Sequence, residues 1–249
     1  MDLGTNPAPR RGSNRRLVAA LLLVALSACR FGAPPGGDSQ GVRISNLYHF
    51  LFYAAIPIGV IVYGLILFSV LRWRRRESDP DRMPPQFRYH IPFELTYVVI
   101  PLLLVAGIFV VTYNTEKHVD AVAPNPQLTV TVTAFQWQWR FQYPDSGITL
   151  TGTPTTNPQM VLPMGQTVEI RLLSVDVDHA FFVPQFLFKR DAIPGFPNTF
   201  DLNIDHPGIY RGECAEFCGV NHSDMNFTIR AVSPSAFRTW LAQHRGTSS

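Results

Sequence analysis

Two stretches of this chain admit little other than membrane-spanning helices. From Leu47 to Leu71 there is no Asp, Glu, Lys or Arg, and from Ile91 to Tyr113 the only such residue is Glu94. Each is long enough to cross a hydrocarbon core of roughly 30 Å as a helix. In lipid only a helix or a closed barrel satisfies its own backbone. Pro57 and Pro101 fall inside these stretches, which membrane helices tolerate because neighbouring groups re-satisfy the freed carbonyls. The connection carries Arg72, Arg74, Arg75, Arg76, Arg82 and Arg88 against Glu77, Asp79 and Asp81. That excess of arginine keeps the connection in the cytoplasm and both chain ends outside. The sequence therefore predicts a hairpin with a first span at 46–72, a cytoplasmic loop at 73–90 and a second span at 91–113.

Ahead of the hairpin, Arg10, Arg11, Arg15 and Arg16 precede an apolar run from Leu17 to Leu26 that is too short to cross a bilayer comfortably. This is the pattern of an export signal. It closes on Leu26-Ser27-Ala28-Cys29, which has the form of a bacterial lipobox. Residues 1–28 are expected to be a lipoprotein-type signal peptide, Cys29 to be acylated, and 29–45 to be a Gly/Pro-rich tether. A simple cleaved signal with an incidental cysteine is the alternative. Lipidation is preferred because an odd thiol in an exported chain otherwise needs a partner.

Beyond the second span the composition changes. The whole chain is +3, yet from Asn114 onward nine Lys and Arg face twelve Asp and Glu, a net charge of −3. The basic residues serve export and topology, so a nucleic-acid partner has no support. After a linker at 114–127, Leu128–Ala134 alternates with the period of a half-buried strand, and Phe135–Tyr143 continues it with aromatics. Val168–Leu173, Thr199–Ile204 and Phe227–Val232 are similar, separated by turn signals such as Tyr143–Gly147, Leu162–Gly165 and His206–Gly208. Short strands at regular spacing predict an all-β sandwich or barrel at 128–233, closed by a C-terminal helix and tail at 234–249.

The chemistry is concentrated between Cys214 and Met225, which read C-A-E-F-C-G-V-N-H-S-D-M. Thiolate and thioether are soft ligands that select copper, and a His/Cys/Met set is the blue-copper type of electron-transfer site. Cys218, His222 and Met225 fit such a loop, with His179 as the upstream histidine in D-H-A-F-F-V-P. The surplus ligand is Cys214, the second bridging thiolate that two copper ions would need. A Cys214–Cys218 disulfide is a competing reading in an oxidising compartment. Zinc is another, although structural zinc uses Cys and His and would leave Met225 unexplained. The C-x-x-C-H signature of covalent haem is absent from the sequence.

This string, with His179, resembles subunit II of the haem-copper oxidases, in the cytochrome c oxidase branch that carries the dinuclear copper centre CuA. The resemblance runs from about His49 to Ile229 and includes Q-W-Q-W at 136–139, V-P-Q-F at 183–186, K-R-D-A-I-P-G at 189–195 and P-G-I-Y-R-G-E-C at 207–214. It implies a two-helix transmembrane hairpin followed by a cupredoxin-like domain. It implies that Cys214 and Cys218 bridge two coppers, that His179 and His222 bind one each, and that Met225 and the Glu216 carbonyl complete the set. The Glu216 carboxylate would reach a magnesium or manganese ion at the contact with subunit I. Phe196 departs from the family pattern, in which many relatives carry arginine after P-G.

The same resemblance makes Trp137 the exposed aromatic through which an electron enters from cytochrome c. Two residues apart on a strand, Trp137 and Trp139 would face one side, with Trp139 packed in the core. Glu94 in F-E-L-T-Y resembles a carboxylate at the entry of a proton channel into subunit I; near the interface it could equally be a residue that snorkels to water. The expected partners are subunit I, which would hold all the haem, other oxidase subunits, and cytochrome c or a cytochrome-containing supercomplex. The expected location is a bacterial inner membrane, with the copper domain outside the cytoplasm. A quinol oxidase subunit II would lack the copper ligands. A copper chaperone would need neither Trp137, Glu94 nor two spans, and a nitrous oxide reductase would need a much longer chain.

Overall fold

The computed structural model of the chain describes residues 35–74, 83, 86–153 and 155–245. The leader, Cys29 and most of the arginine-rich connection lie outside the described residues. Helix α1 (Ser39–Trp73) and helix α2 (Ile91–Val119) are each long and apolar enough to cross a membrane, and no part of either apolar stretch is buried within the chain. At about 1.5 Å per residue they are about 52 and 43 Å long, longer than a hydrocarbon core of about 30 Å. The excess projects toward the β domain and is polar: it includes Arg43 and Asn46 on α1 and Asn114 to His118 on α2.

The tether and linker boundaries differ from the sequence expectation. Helix α1 begins at Ser39, inside the expected 29–45 tether, and α2 runs six residues past 113 to Val119. The part of the Gly/Pro-rich segment from Pro35 to Gly41 is docked rather than loose. The Gly37 N–H donates to the Gln185 carbonyl (2.7 Å), the Ser39 N–H to the Asn203 carbonyl (3.0 Å), and Gln40 Nε2 to the Asp201 carbonyl (3.0 Å). A Cβ on Gly41 would lie 2.5 Å from the Phe186 carbonyl oxygen, so glycine here permits close backbone approach. Asp38 caps α1 by accepting from the Gly41 N–H at 2.8 Å. Helix α2 starts with a reciprocal cap: His90 Nδ1 accepts from the Phe93 N–H (3.3 Å), while Glu94 Oε1 accepts from the His90 N–H (2.9 Å).

Among the described residues, ten strands follow in two five-stranded sheets. Strands β1 (Leu128–Phe135), β2 (Gln138–Tyr143), β3 (Ile148–Thr151), β5 (Val168–Ser174) and β8 (Asn198–Leu202) form one, in the order β3-β2-β1-β5-β8. Strands β4 (Gln159–Pro163), β6 (His179–Val183), β7 (Phe188–Ala192), β9 (Gly208–Cys214) and β10 (Asn226–Val232) form the other, in the order β4-β10-β9-β6-β7. This is the sandwich that the alternating segments predict and the cupredoxin-like domain that the resemblance implies. Aromatic rings fill the space between the sheets: Phe181 stacks on Phe227 with centroids 4.7 Å apart, and Trp139 meets Phe227 edge-on at 5.2 Å. Phe227 lies across from Gly212, where an added Cβ would sit 2.1 Å from the ring. Helix α3 (Pro234–His244) closes the edge, with Trp240 against Tyr143 at 5.2 Å.

One local expectation fails. Gln136 and Trp137 form the two-residue turn between β1 and β2, so Trp137 is not on a strand and does not share a face with Trp139. Trp139, on β2, is fully buried as expected.

Asp38 is the buried charge of this junction. Burial, with repulsion from Asp205, outweighs the lowering effect of the Gly41 N–H and raises its carboxyl to about 7, with Oδ2 unpartnered. A carboxyl raised in the folded state holds a proton that the unfolded chain has lost, so its contribution to stability falls as pH rises from about 4 toward 7. Asp38→Asn keeps the cap without the charge. Thermal unfolding of the full chain in detergent should show the variant gaining on the parent as pH is raised from 5 to 8. A constant difference across that range would mean that Asp38 does not titrate there.

Candidate metal centre

The centre is built where three strands end together. His179 opens β6, Cys214 closes β9, and Met225 immediately precedes β10. The Cys214 N–H donates to the Met225 carbonyl at 3.0 Å, which closes the loop at its base. The Ala215 N–H donates to the Ala180 carbonyl at 3.1 Å, which holds the loop against the strand bearing His179. Gly219 has φ 121°, a region that favours glycine, and a Cβ there would lie 3.1 Å from the Trp137 indole. Trp139 forms the floor: its Nε1 donates to the Met225 carbonyl at 3.3 Å, and its ring lies 6.4 Å from that of His179.

All six donors expected from the sequence converge. Cys214 Sγ lies 3.8 Å from His179 Nδ1, 3.3 Å from the Glu216 carbonyl oxygen and 3.9 Å from Cys218 Sγ. Cys218 Sγ lies 3.6 Å from His222 Nδ1 and 3.8 Å from Met225 Sδ. His179 and Met225 are wholly buried, and Cys214 and Cys218 nearly so, while His222 is partly exposed. Both thiols are free, and 3.9 Å is far from the roughly 2.05 Å of a disulfide. The fold does supply two cysteines and two histidines, a zinc-like set. Two further soft or neutral donors, Met225 and the Glu216 carbonyl, exceed the four ligands that a structural zinc site uses. His179, Cys214 and Cys218 form a cluster compatible with copper.

The two thiols differ in acidity. Burial would raise Cys214, but hydrogen bonds with His179 and with the backbone at Ala180 and Glu216 outweigh it and hold the thiol at about 6. Burial, and then the Cys214 thiolate beside it, push Cys218 up to about 12. A bridging cation would remove that repulsion, so metal binding at neutral pH should release a proton.

Asp176 is the functional residue that sequence reading missed. Its Oδ1 accepts from His179 Nε2 at 2.9 Å, which turns Nδ1 toward the thiols. Its Oδ2 accepts from the Gln136 N–H at 2.7 Å. Burial of Asp176 is outweighed by these hydrogen bonds and one from the Val177 N–H, so its carboxyl stays below the usual range. The signal was a carboxylate three residues before His179, in D-V-D-H, but Asp178 offered the same chemistry.

The other expected residues are placed as follows. Trp137 is partly buried, and its Nε1 donates to the Cys218 carbonyl at 3.1 Å. Gln136 Nε2 donates to the same oxygen at 2.7 Å. The Glu216 carboxylate points away from the thiols to an ion pair with Lys189 at 3.2 Å. Phe196 is exposed beside the turn at Gly195. Glu94 stands at the far end of α2, in the cap of its own helix.

A membrane-anchored cupredoxin domain with a soft-donor loop of this kind defines a class of electron-transfer proteins. Residues 153–232 match the family model for the periplasmic domain of cytochrome c oxidase subunit II. The chain is 35% identical to a probable cytochrome c oxidase subunit 2 of Streptomyces avermitilis, over 96% of this chain and 89% of that protein. It is 31% identical to cytochrome c oxidase subunit 2 of Mycobacterium bovis, over 94% of this chain and 83% of that protein. The solved periplasmic domain of subunit II of the Bradyrhizobium japonicum cytochrome oxidase aligns with 49% of this chain and 96% of that domain, at 31% identity and a TM-score of 0.46. The chain belongs to the cytochrome c oxidase subunit II family. It is thus one subunit of an oxidoreductase complex, anchored in a membrane beside other oxidase subunits.

Because Asp176 sets the orientation of His179, Asp176→Asn should weaken copper binding by about 10–100-fold, as loss of such a supporting partner does elsewhere. Competition titration of the full chain against a copper chelator reads this. Unchanged affinity would leave Asp176 with only its turn-capping role.

Proposed function

We propose that this chain collects single electrons from a cytochrome c donor at a dinuclear copper centre and hands them to haem in subunit I, where oxygen is reduced to water and protons are translocated. The observation that carries the reading is a run of close approaches that links two free thiols, two imidazoles, a thioether and a carbonyl, all but His222 at a buried centre. His179, Cys214, the Glu216 carbonyl, Cys218, His222 and Met225 would hold the two copper ions. Bound there, they would supply one-electron redox chemistry.

The protein's part is to hold donors still and to define a route. The strand ladder fixes Cys214 and Met225, Asp176 fixes His179, and burial keeps water from the thiolates; rigid ligands keep reorganisation small. Trp137 offers the entry, because its indole N–H is bonded to the carbonyl of a ligand residue. The Glu216 carboxylate and Lys189 lie on the surface beside the loop, where a magnesium or manganese ion shared with subunit I would be met. Glu94, at the opposite end of α2, would take up protons from the cytoplasmic side. Cys29 would carry the lipid of a mature bacterial lipoprotein, with the copper domain outside the cell membrane.

Loaded with copper, the full chain should be purple, hold two coppers and give a mixed-valence signal in electron paramagnetic resonance. Cys214→Ser should abolish that signal, whereas one tightly bound copper or zinc in the parent protein would sink the assignment. In the assembled oxidase, flash-induced kinetics separate the steps. Trp137→Gln should slow electron entry and leave transfer onward to haem unchanged, and Glu94→Ala should slow proton uptake with the copper spectrum intact. A Trp137 variant that loses copper would make that residue structural, and a Glu94 variant with parental turnover across the pH range would leave it a helix cap.

A further inference from the structure

Where α1 and α2 rise out of their apolar stretches, a cavity of about 450 Å³ opens between them. Each helix lines it with one stripe at the i, i+3, i+4, i+7 spacing that places residues on a single face. On α1 the stripe is Arg43, Asn46, Leu47 and Phe50; on α2 it is Val111, Asn114, Thr115 and His118. The helices are antiparallel, so the two stripes are graded alike. Arg43 and His118 lie at the end nearer the β domain, the amides of Asn46 and Asn114 in the middle, and Leu47, Phe50 and Val111 deeper toward the membrane. Seven residues of helix make the cavity about 10 Å deep along the helix axes.

Two features of this cavity ask for a ligand. Among the described residues, the side chains of Arg43, His118, Asn46 and Asn114 have no ion-pair or hydrogen-bond partner. Among the described residues no acidic side chain lines the cavity: Glu116, on α2 between Thr115 and His118, is not part of its wall, and Asp120, the residue that caps α2, is paired with Arg190. Donors thus outnumber acceptors at the level where the apolar stretches, Leu47 to Leu71 and Ile91 to Tyr113, give way to polar sequence. That level is the headgroup region of a bilayer.

We propose that this cavity binds an anionic phospholipid of the leaflet on the β-domain side. The phosphodiester lies between Arg43 and His118, the glycerol esters meet the amides of Asn46 and Asn114, and one acyl chain follows Leu47, Phe50 and Val111. A zwitterionic lipid fits less well, because its ammonium group would meet the Arg43 guanidinium and no carboxylate in the wall. The inference needs only that α1 and α2 span a bilayer, and it stands apart from the copper reading. A bound lipid would act as a wedge between the helices below the β domain.

The test uses the full chain and the assembled oxidase in nanodiscs of phosphatidylcholine, doped with photoactivatable phosphatidylglycerol or photoactivatable phosphatidylcholine. Cross-links are mapped by mass spectrometry. The glycerol lipid should label 43–50 and 111–118 preferentially, and an excess of unlabelled phosphatidylglycerol should displace it where inorganic phosphate does not. Loss of a single cation at a membrane surface weakens anionic lipid binding about fivefold, so Arg43→Gln should reduce this labelling by about that factor while Arg43→Lys retains it. Helix content and copper loading should be unchanged in both variants; should Arg43→Gln fail to fold, His118→Gln and the displacement arm decide. Equal labelling by the two lipids, or displacement by inorganic phosphate, would overturn the proposal. So would loss of labelling in the assembled oxidase with a protein cross-linker joining Arg43 to another subunit, which would assign the cavity to a protein partner.

Discussion

The hydrogen bond from the Cys214 N–H to the Met225 carbonyl is the tie on which the site depends. It ends the β9–β10 ladder and starts the loop, so every residue from Ala215 to Asp224 is suspended from a fixed base. The same Met225 carbonyl accepts from Trp139, the largest fully buried side chain between the sheets. Core packing and ligand geometry therefore meet at one oxygen. A cavity made by truncating a large aromatic costs about 3–5 kcal/mol, and at Trp139 it would also loosen the thioether end of the loop.

A second layer of control acts through charge. Two thiols 3.9 Å apart cannot both ionise cheaply, and the site divides them into an acidic Cys214 and a reluctant Cys218. Asp176 adds a negative charge behind His179, away from the sulfurs. A cationic metal would thus meet a pocket already biased toward it, with Cys218 the one thiol left to ionise. The carbonyl of Cys218 is engaged from outside by Gln136 and Trp137, so the β1–β2 turn and the metal loop are braced against each other.

The donor set was legible in the sequence because spacing within one loop survives folding: C-x-E-x-C-G-x-x-H-x-x-M stays local, and His179 was flagged by its own motif. Strands with one wet face, such as β1, announced themselves by alternation. Strand β6 did not, since His179, Ala180, Phe181 and Val183 are all buried and leave no period of two. The turn at Gln136 and Trp137 has neither glycine nor proline to mark it and reads as continuous strand. Asp38 and the glycines around it have the composition of a loose tether. Only the long-range approach of Gln185, Phe186 and Asn203 makes that segment ordered, and sequence periodicity carries no information about such contacts.

The docking of that segment has a consequence for how the protein meets membranes of different thickness. The β domain grips α1 through Gly37, Ser39 and Gln40, and grips the end of α2 through Asp120 and Arg190. Both attachments are on the β-domain side of the helices. A mismatch between helix length and bilayer is relieved by tilting or by local thinning at modest cost, but here the upper ends are pinned. Adjustment is therefore directed to the opposite ends, near Trp73 and Ile91. Changes in lipid thickness would be absorbed there, and the height of the metal centre above its leaflet would stay constant.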